Sequence, residues 1–153
     1  MTKSFIYVGI IATLLSFFGC NEYYYDSDIS RTVDSFATAY VNYDLQKARR
    51  FSTDDSEKWI SYAASNITKS DIDFINKFEN ATTYIDDIDV DDDAGIGFAT
   101  VVVNGWVKKD CIGLSSPKVV EECTITFKIV KNKNGKWLVK MEGPLQNVKY
   151  NLD

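Results

Sequence analysis

The sequence predicts an α+β domain, with N-terminal helices packed on a four-stranded antiparallel sheet. Three observations carry this. Apolar residues recur at helical spacing from residue 28 to the region of Phe78. From Tyr84 onward they alternate with polar ones, and turn-forming residues separate the alternating runs. The 153 residues suit one domain, and 45% are hydrophobic, so a core can form. Nine Tyr, nine Phe and three Trp supply the apolar surface that offsets ordering entropy.

The first helical stretch covers residues 28–51. Ile29, Val33, Phe36, Ala37 and Tyr40 fall on one face. Asn42-Tyr43-Asp44 interrupts it, and Asp44 is placed to cap a short second helix carrying Leu45, Ala48 and Phe51. Asp54 with Glu57 three residues later reads as a capping-box variant for a third helix, with Trp59, Ile60, Tyr62 and Ala63 as its stripe. A fourth begins at Ser70-Asp71 and carries Ile72 and Ile75. None of these stretches contains Gly or Pro.

Four strands follow. The first, Tyr84 to Val90, is expected to place Tyr84, Ile88 and Val90 on one side. Asp91-Asp92-Asp93-Ala94-Gly95 turns the chain into Ile96 to Val107, where Asn104-Gly105 reads as a bulge. Residues 112–118, with Gly113 and Pro117, form a loop. Val119 to Val130 then alternates, setting Val119, Cys123, Ile125, Phe127 and Ile129 against Thr124, Thr126 and Lys128. The last strand is Lys136 to Glu142. A three-residue turn, Lys133-Asn134-Gly135, sets Trp137, Val139 and Met141 opposite Lys131, Ile129 and Phe127. Burial selects this register, because a slip of one residue flips every side chain.

Pairing Cys111 directly with Cys123 sets Val107 opposite Phe127 and keeps the odd-numbered apolar positions on one face. Such a pair has Cα atoms about 4.5–5.5 Å apart, within disulfide range. A Cys111–Cys123 disulfide is therefore expected, with two buried free thiols as the alternative. No redox role follows, since the spacing is not Cys-x-x-Cys.

The N-terminus reads as an address. Lys3 precedes the apolar run Phe5 to Phe18, and Gly19-Cys20 follows, the pattern of a secretory signal. Ser16-Phe17-Phe18-Gly19-Cys20 resembles a bacterial lipobox of the relaxed, Bacteroidetes-like kind, although Phe17 and Phe18 depart from its usual Leu and small residue. That resemblance implies a lipoprotein signal peptide at 1–19, lipidation of Cys20, a lipidated tether at 20–27 and a single domain at 28–153. It also implies a cell-envelope location, membrane-anchored through the lipid, facing the periplasm or exposed on the outer membrane. An uncleaved anchor is the alternative. Tyr23-Tyr24-Tyr25 either sit at the headgroup level or pack on the domain.

Two further stretches carry a resemblance. Val33-Asp34-Ser35-Phe36 to Tyr40, followed by Tyr43-Asp44-Leu45-Gln46-Lys47-Ala48, is similar to the opening of small bacterial lipoproteins of unknown function. Lys133-Asn134-Gly135-Lys136-Trp137-Leu138-Val139 is similar to their terminal strand. These lipoproteins have cystatin-like, or nuclear-transport-factor-2-like, domains. The resemblance implies a curled, cone-like sheet enclosing a pocket. Tyr40, Trp59, Tyr62, Phe127 and Trp137 are its candidate ligand-binding residues, with core packing as the other reading of each.

Composition excludes some chemistry. There is no histidine, which removes His-based triads and imidazole metal sites. A net charge of −5 speaks against nucleic acid as a partner. No cofactor and no metal are expected: Asp87-x-Asp89-x-Asp91 imitates the start of a calcium loop, but Asp92 and Phe98 stand where Gly and Glu are needed. Those acids read as a solvated hairpin tip that deters edge pairing. Val101-Val102-Val103 is apolar on both faces, so the face away from the helices needs a cover, either a loop or a second copy in a homodimer. The function expected is non-catalytic binding of a small apolar ligand or a partner protein. An accessory subunit of an envelope assembly and an isomerase-like or hydrolase-like enzyme are the alternatives. No residue is assigned a catalytic role.

Overall fold

The computed structural model describes residues 27–110 and 115–145. The helices come first: α1 (Ser27–Val41), α2 (Leu45–Arg49), α3 (Glu57–Ser65) and α4 (Lys69–Ile75). All five residues expected on the α1 stripe are buried, and Phe36 meets Phe127 edge-on at 5.3 Å between ring centroids. The chain leaves α1 through Tyr43, whose φ of 62° breaks the helix. Asp44 then caps α2, accepting the Lys47 N–H at 3.1 Å.

The capping box expected from Asp54 and Glu57 is not formed. Asp54–Ser56 is a 3-10 turn, preceded by Thr53, and α3 starts after it. Ser56 makes no side-chain cap either, because its hydroxyl accepts the Met141 N–H at 2.8 Å. The full capping box lies on α4. Thr68 accepts the Asp71 N–H, and Asp71 accepts the Thr68 N–H at 2.9 Å.

The strands are β1 (Thr82–Asp91), β2 (Ile96–Lys108), β3 (Lys118–Lys131) and β4 (Trp137–Lys140), hydrogen-bonded in the order β1-β2-β3-β4. The α+β architecture and the antiparallel hairpins agree with the sequence, but the curled, cone-like sheet does not form. The sheet is open, neither curled nor closed. Its central ladder keeps one register from Ile96↔Val130 to Lys108↔Lys118, with no bulge to bend it. β4 is also too short to wrap. It pairs only with Lys128–Lys131, and beyond Lys140 the chain turns to Ser56. The outer edge of β4 is covered by Phe51–Thr53: Val139 donates to the Phe51 carbonyl and accepts the Thr53 N–H, both at 2.9 Å.

The β3–β4 hairpin has the expected register, with Lys131 opposite Trp137 and Ile129 opposite Val139. Gly135 supplies the left-handed residue of its turn at φ 76°. β1 departs from simple alternation. Its register shifts between Ile85 and Asp87, so Ile85 and Ile88 both pack toward the core, while Tyr84 and Val90 are exposed. The extra residue of a bulge reverses which side later residues face.

Asn104-Gly105 is not a register bulge, since Asn104↔Glu122 and Trp106↔Val120 keep the same pairing. It changes the face instead. Val103 and Trp106 both belong to the core although three residues apart, and Gly105 between them has φ 69°.

The expected disulfide is overturned as well. Cys123 is a free thiol. The hairpin closes at Lys108↔Lys118, which sets Val107 opposite Val119 and Cys123 opposite Val103, so the register that would have joined the two cysteines is not adopted. Burial pushes the Cys123 thiol pKa up, which makes it a poor nucleophile. Cys111 lies outside the described residues.

Candidate functional site

The helices cover one face of the sheet, burying Ala99, Val101, Val103, Ile125, Phe127, Ile129 and Val139. The opposite face carries the residues between them. Directly opposed residues of an antiparallel pair share a face. One row across it is therefore Asp89, Phe98, Lys128 and Lys140 on β1 to β4. On one side the next row is Asp91, Ile96, Val130 and Leu138; on the other it is Asp87, Thr100 and Thr126, with Tyr84, Val102 and Thr124 beyond it. Tyr84 is 52% exposed, Phe98 51% and Ile96 42%. Phe98 and Ile96 stand in adjacent rows, and Tyr84 stands on the same face beyond the polar row of Asp87, Thr100 and Thr126; three large apolar side chains on one face are more than scattered single ones.

Charge is graded along the row of Phe98 and beside it. β1 contributes Asp87, Asp89 and Asp91, whereas β3 and β4 contribute Lys128 and Lys140. Both lysines have acidic neighbours: Lys128 meets Glu142 at 2.7 Å and Lys140 meets Asp55 at 3.5 Å. The Lys128 ammonium holds the Glu142 carboxyl below its ordinary pKa. The Thr53 hydroxyl, and then Lys140, do the same for Asp55. Beyond Lys140 the departing chain leaves a recess beside β3, lined in part by Phe98, Thr126, Lys128 and Pro144. At the turn, Asp91 accepts the Ala94 N–H and Asp92 pairs with Lys131 at 2.8 Å. Among the described residues no group of three or more acidic or cysteine side chains is placed to hold a metal.

A second feature lies at the other end of the sheet, on the helix side. Tyr40, Leu45, Ala63, Ile67, Trp106 and Lys109 line an apolar crevice. It leaves room for about one water molecule. Among the described residues the buried Trp106 indole N–H has no hydrogen-bond partner. Tyr43 latches this end, its hydroxyl donating to the Val107 carbonyl at 2.9 Å and accepting the Lys109 N–H at 2.8 Å. Lys109 pairs with buried Asp71 at 3.1 Å. The Thr68 backbone N–H, then the Thr68 hydroxyl and Lys109, hold the Asp71 carboxyl below its ordinary pKa.

The five aromatic residues singled out from sequence are spread across the molecule. Tyr40 lines the crevice, Phe127 borders the recess beside β4, and Trp137 lines a surface cleft with Asp28 and Arg31. Trp59 and Tyr62 stand on α3, the first half-buried with Lys58 over its ring and the second 40% exposed. Straight alternation through β1 puts Tyr84 on the side of Ile88 and Val90, and so hides its exposure. The pair Ile85 and Ile88, three residues apart around two acids, is the signal of the bulge that turns Tyr84 outward.

No family model, no curated protein and no solved structure matches the chain. The resemblance to Bacteroidetes-like lipoproteins with cystatin-like or nuclear-transport-factor-2-like domains is not upheld. The motifs that carried it are local chemistry: an Asp helix cap at Asp44 and a glycine turn at Gly135, which many folds share. The lipobox-like segment and Cys20 lie outside the described residues, and so does the proposed tether up to residue 26. No helix among the described residues is long and apolar enough to cross a membrane.

Proposed function

We propose that this domain is a non-catalytic binding module whose working surface is the helix-free face of its sheet. The observation that carries the reading is the exposure of Tyr84 and Phe98, each about half exposed, on one face with Ile96 and Val102. Exposed aromatic residues around a desolvated centre are the usual anchors of protein partners. The cell-envelope location is proposed on Lys3 and the apolar run Phe5 to Phe18 alone.

A photo-crosslinking amino acid at Phe98 or Tyr84, introduced in the cell that makes the protein, tests the surface. Asn134, in the β3–β4 turn, is the control position. Protein adducts are expected from both face positions and not from Asn134. Absence of adducts at Phe98 and Tyr84, or equal yields at Asn134, rejects the surface.

A second reading, a small apolar ligand carrying a hydrogen-bond acceptor, is favoured by the unpartnered, buried N–H of Trp106, a residue that lines the crevice. Its weakness is size, since the crevice has room for about one water molecule. Native mass spectrometry of protein purified from its host is expected to show a reproducible adduct if this reading holds. Trp106→Phe is expected to abolish that adduct, and a bare protein mass rejects the reading. Neither the accessory-subunit nor the enzyme alternative is favoured by an observation of its own.

A further inference from the structure

Resting on the sheet face as the binding surface, we infer that its partner is a second copy of this chain, docked face to face about a two-fold axis parallel to the strands. The argument is the order of charge along one row. Asp89, Phe98, Lys128 and Lys140 run acidic, aromatic, basic, basic from β1 to β4. At about 4.8 Å between strands, the row spans roughly 14 Å.

A two-fold axis lying in the interface, along the strands and between β2 and β3, reverses this order in the partner. β1 of one copy then lies over β4 of the other. Asp89 faces the partner's Lys140, and Phe98 lies over the alkyl stem of the partner's Lys128. An axis across the strands would lay β1 on β1 and oppose acid to acid. The surface is therefore self-complementary in one orientation and self-repelling in the other, as an isologous interface with a fixed register requires.

Shape agrees with charge. The row of Tyr84, Val102 and Thr124 has no β4 member, because β4 ends at Lys140. Reversal brings Tyr84, which projects from β1, over the partner's gap beside Thr124, next to the recess that Thr126 and Pro144 line. Lys140, on the outer strand, keeps its pair with Asp55, and its partial exposure leaves it able to share a second carboxylate; Lys128 keeps its pair with Glu142.

Sedimentation of the full-length protein as a function of concentration and salt tests this. The wild type is expected to dimerise, more weakly as salt rises. Asp89→Lys and Lys140→Asp each place like charges in both symmetry-related contacts, and each is expected to weaken the dimer by about tenfold or more. An equimolar mixture of the two variants restores both contacts in a mixed dimer, and wild-type association is expected to return. If Lys140→Asp does not fold, the Asp89→Lys variant and the wild-type salt dependence still decide. A monomer at every concentration overturns the inference, as does a dimer indifferent to Asp89 or a mixture that stays dissociated. A monomer whose Phe98 crosslinks to a different protein overturns the self-association and leaves the binding surface standing. Loss of every Phe98 and Tyr84 adduct rejects both.

Discussion

Two glycines show that the same residue type is required for unlike reasons. At Gly97 a Cβ would stand 2.6 Å from the Asp89 carbonyl oxygen and 2.6 Å from a Val90 methyl, so β1 and β2 would have to separate. At Gly105 a Cβ would meet nothing within 4 Å, and the demand is the φ of 69°. Gly97→Ala is expected to cost about 2 kcal/mol or more through overpacking. Gly105→Ala is expected to cost about 1–2 kcal/mol through backbone strain alone. Urea denaturation measures both. Gly105→Asn separates the causes, because Asn tolerates the left-handed region and should recover part of the loss. Tyr43 is the third sensitive residue. Tyr43→Phe leaves the Val107 carbonyl and the Lys109 N–H without their partner, at a cost of about 1–3 kcal/mol. An unchanged denaturation midpoint would show that water replaces the hydroxyl.

At the scale of elements, α4 is not self-sufficient. It has seven residues, and Ile72 on it is exposed. An isolated helix of this length is unstable in water. It is held by the Thr68–Asp71 capping box and by the Asp71–Lys109 pair, which ties it to the end of β2. Thr68→Ala is expected to cost about 1 kcal/mol. It should also raise hydrogen exchange in residues 69–78 while leaving α1 protected, and uniform loss of protection would contradict a local role. What was legible in the sequence follows the same division. The α1 stripe, the Asp44 cap and the β3–β4 register were readable, because each rests on periodicity or on a residue next in the chain. The β1 bulge and the face change at Gly105 were not, because long-range packing of Ile85, Ile88 and Trp106 decides them. The open sheet was also hidden. Curvature depends on where β4 ends, and a hydrogen bond from Met141 to Ser56, 85 positions apart, sets that end.

For the whole molecule, charge pairs join the layers and fix how stability depends on pH. Asp71 links α4 to β2, and Asp55 links the turn before α3 to β4. Glu142 links the chain after β4 back to β3. All three carboxyls are held below their ordinary values, chiefly by hydrogen bonds from Thr68, Thr53 and Lys128 respectively. A depressed folded-state pKa means that the unfolded chain binds the proton more tightly. The stabilisation is therefore complete above the unfolded value, near 4, and is lost as pH falls through the lower folded value. At the other end, the chain has no histidine, and burial moves Cys123 further above neutrality. The side chain that ordinarily titrates between about pH 5 and 8 is thus missing. The urea midpoint is expected to stay flat across that window and to drop below about pH 4. Asp71→Asn should lower the midpoint at pH 7 and make the acid drop shallower, because Asn keeps the shape and removes the titration. A midpoint that changes between pH 5 and 8, or an acid drop unchanged in Asp71→Asn, would show that groups other than these junction carboxylates govern the fold's response to pH.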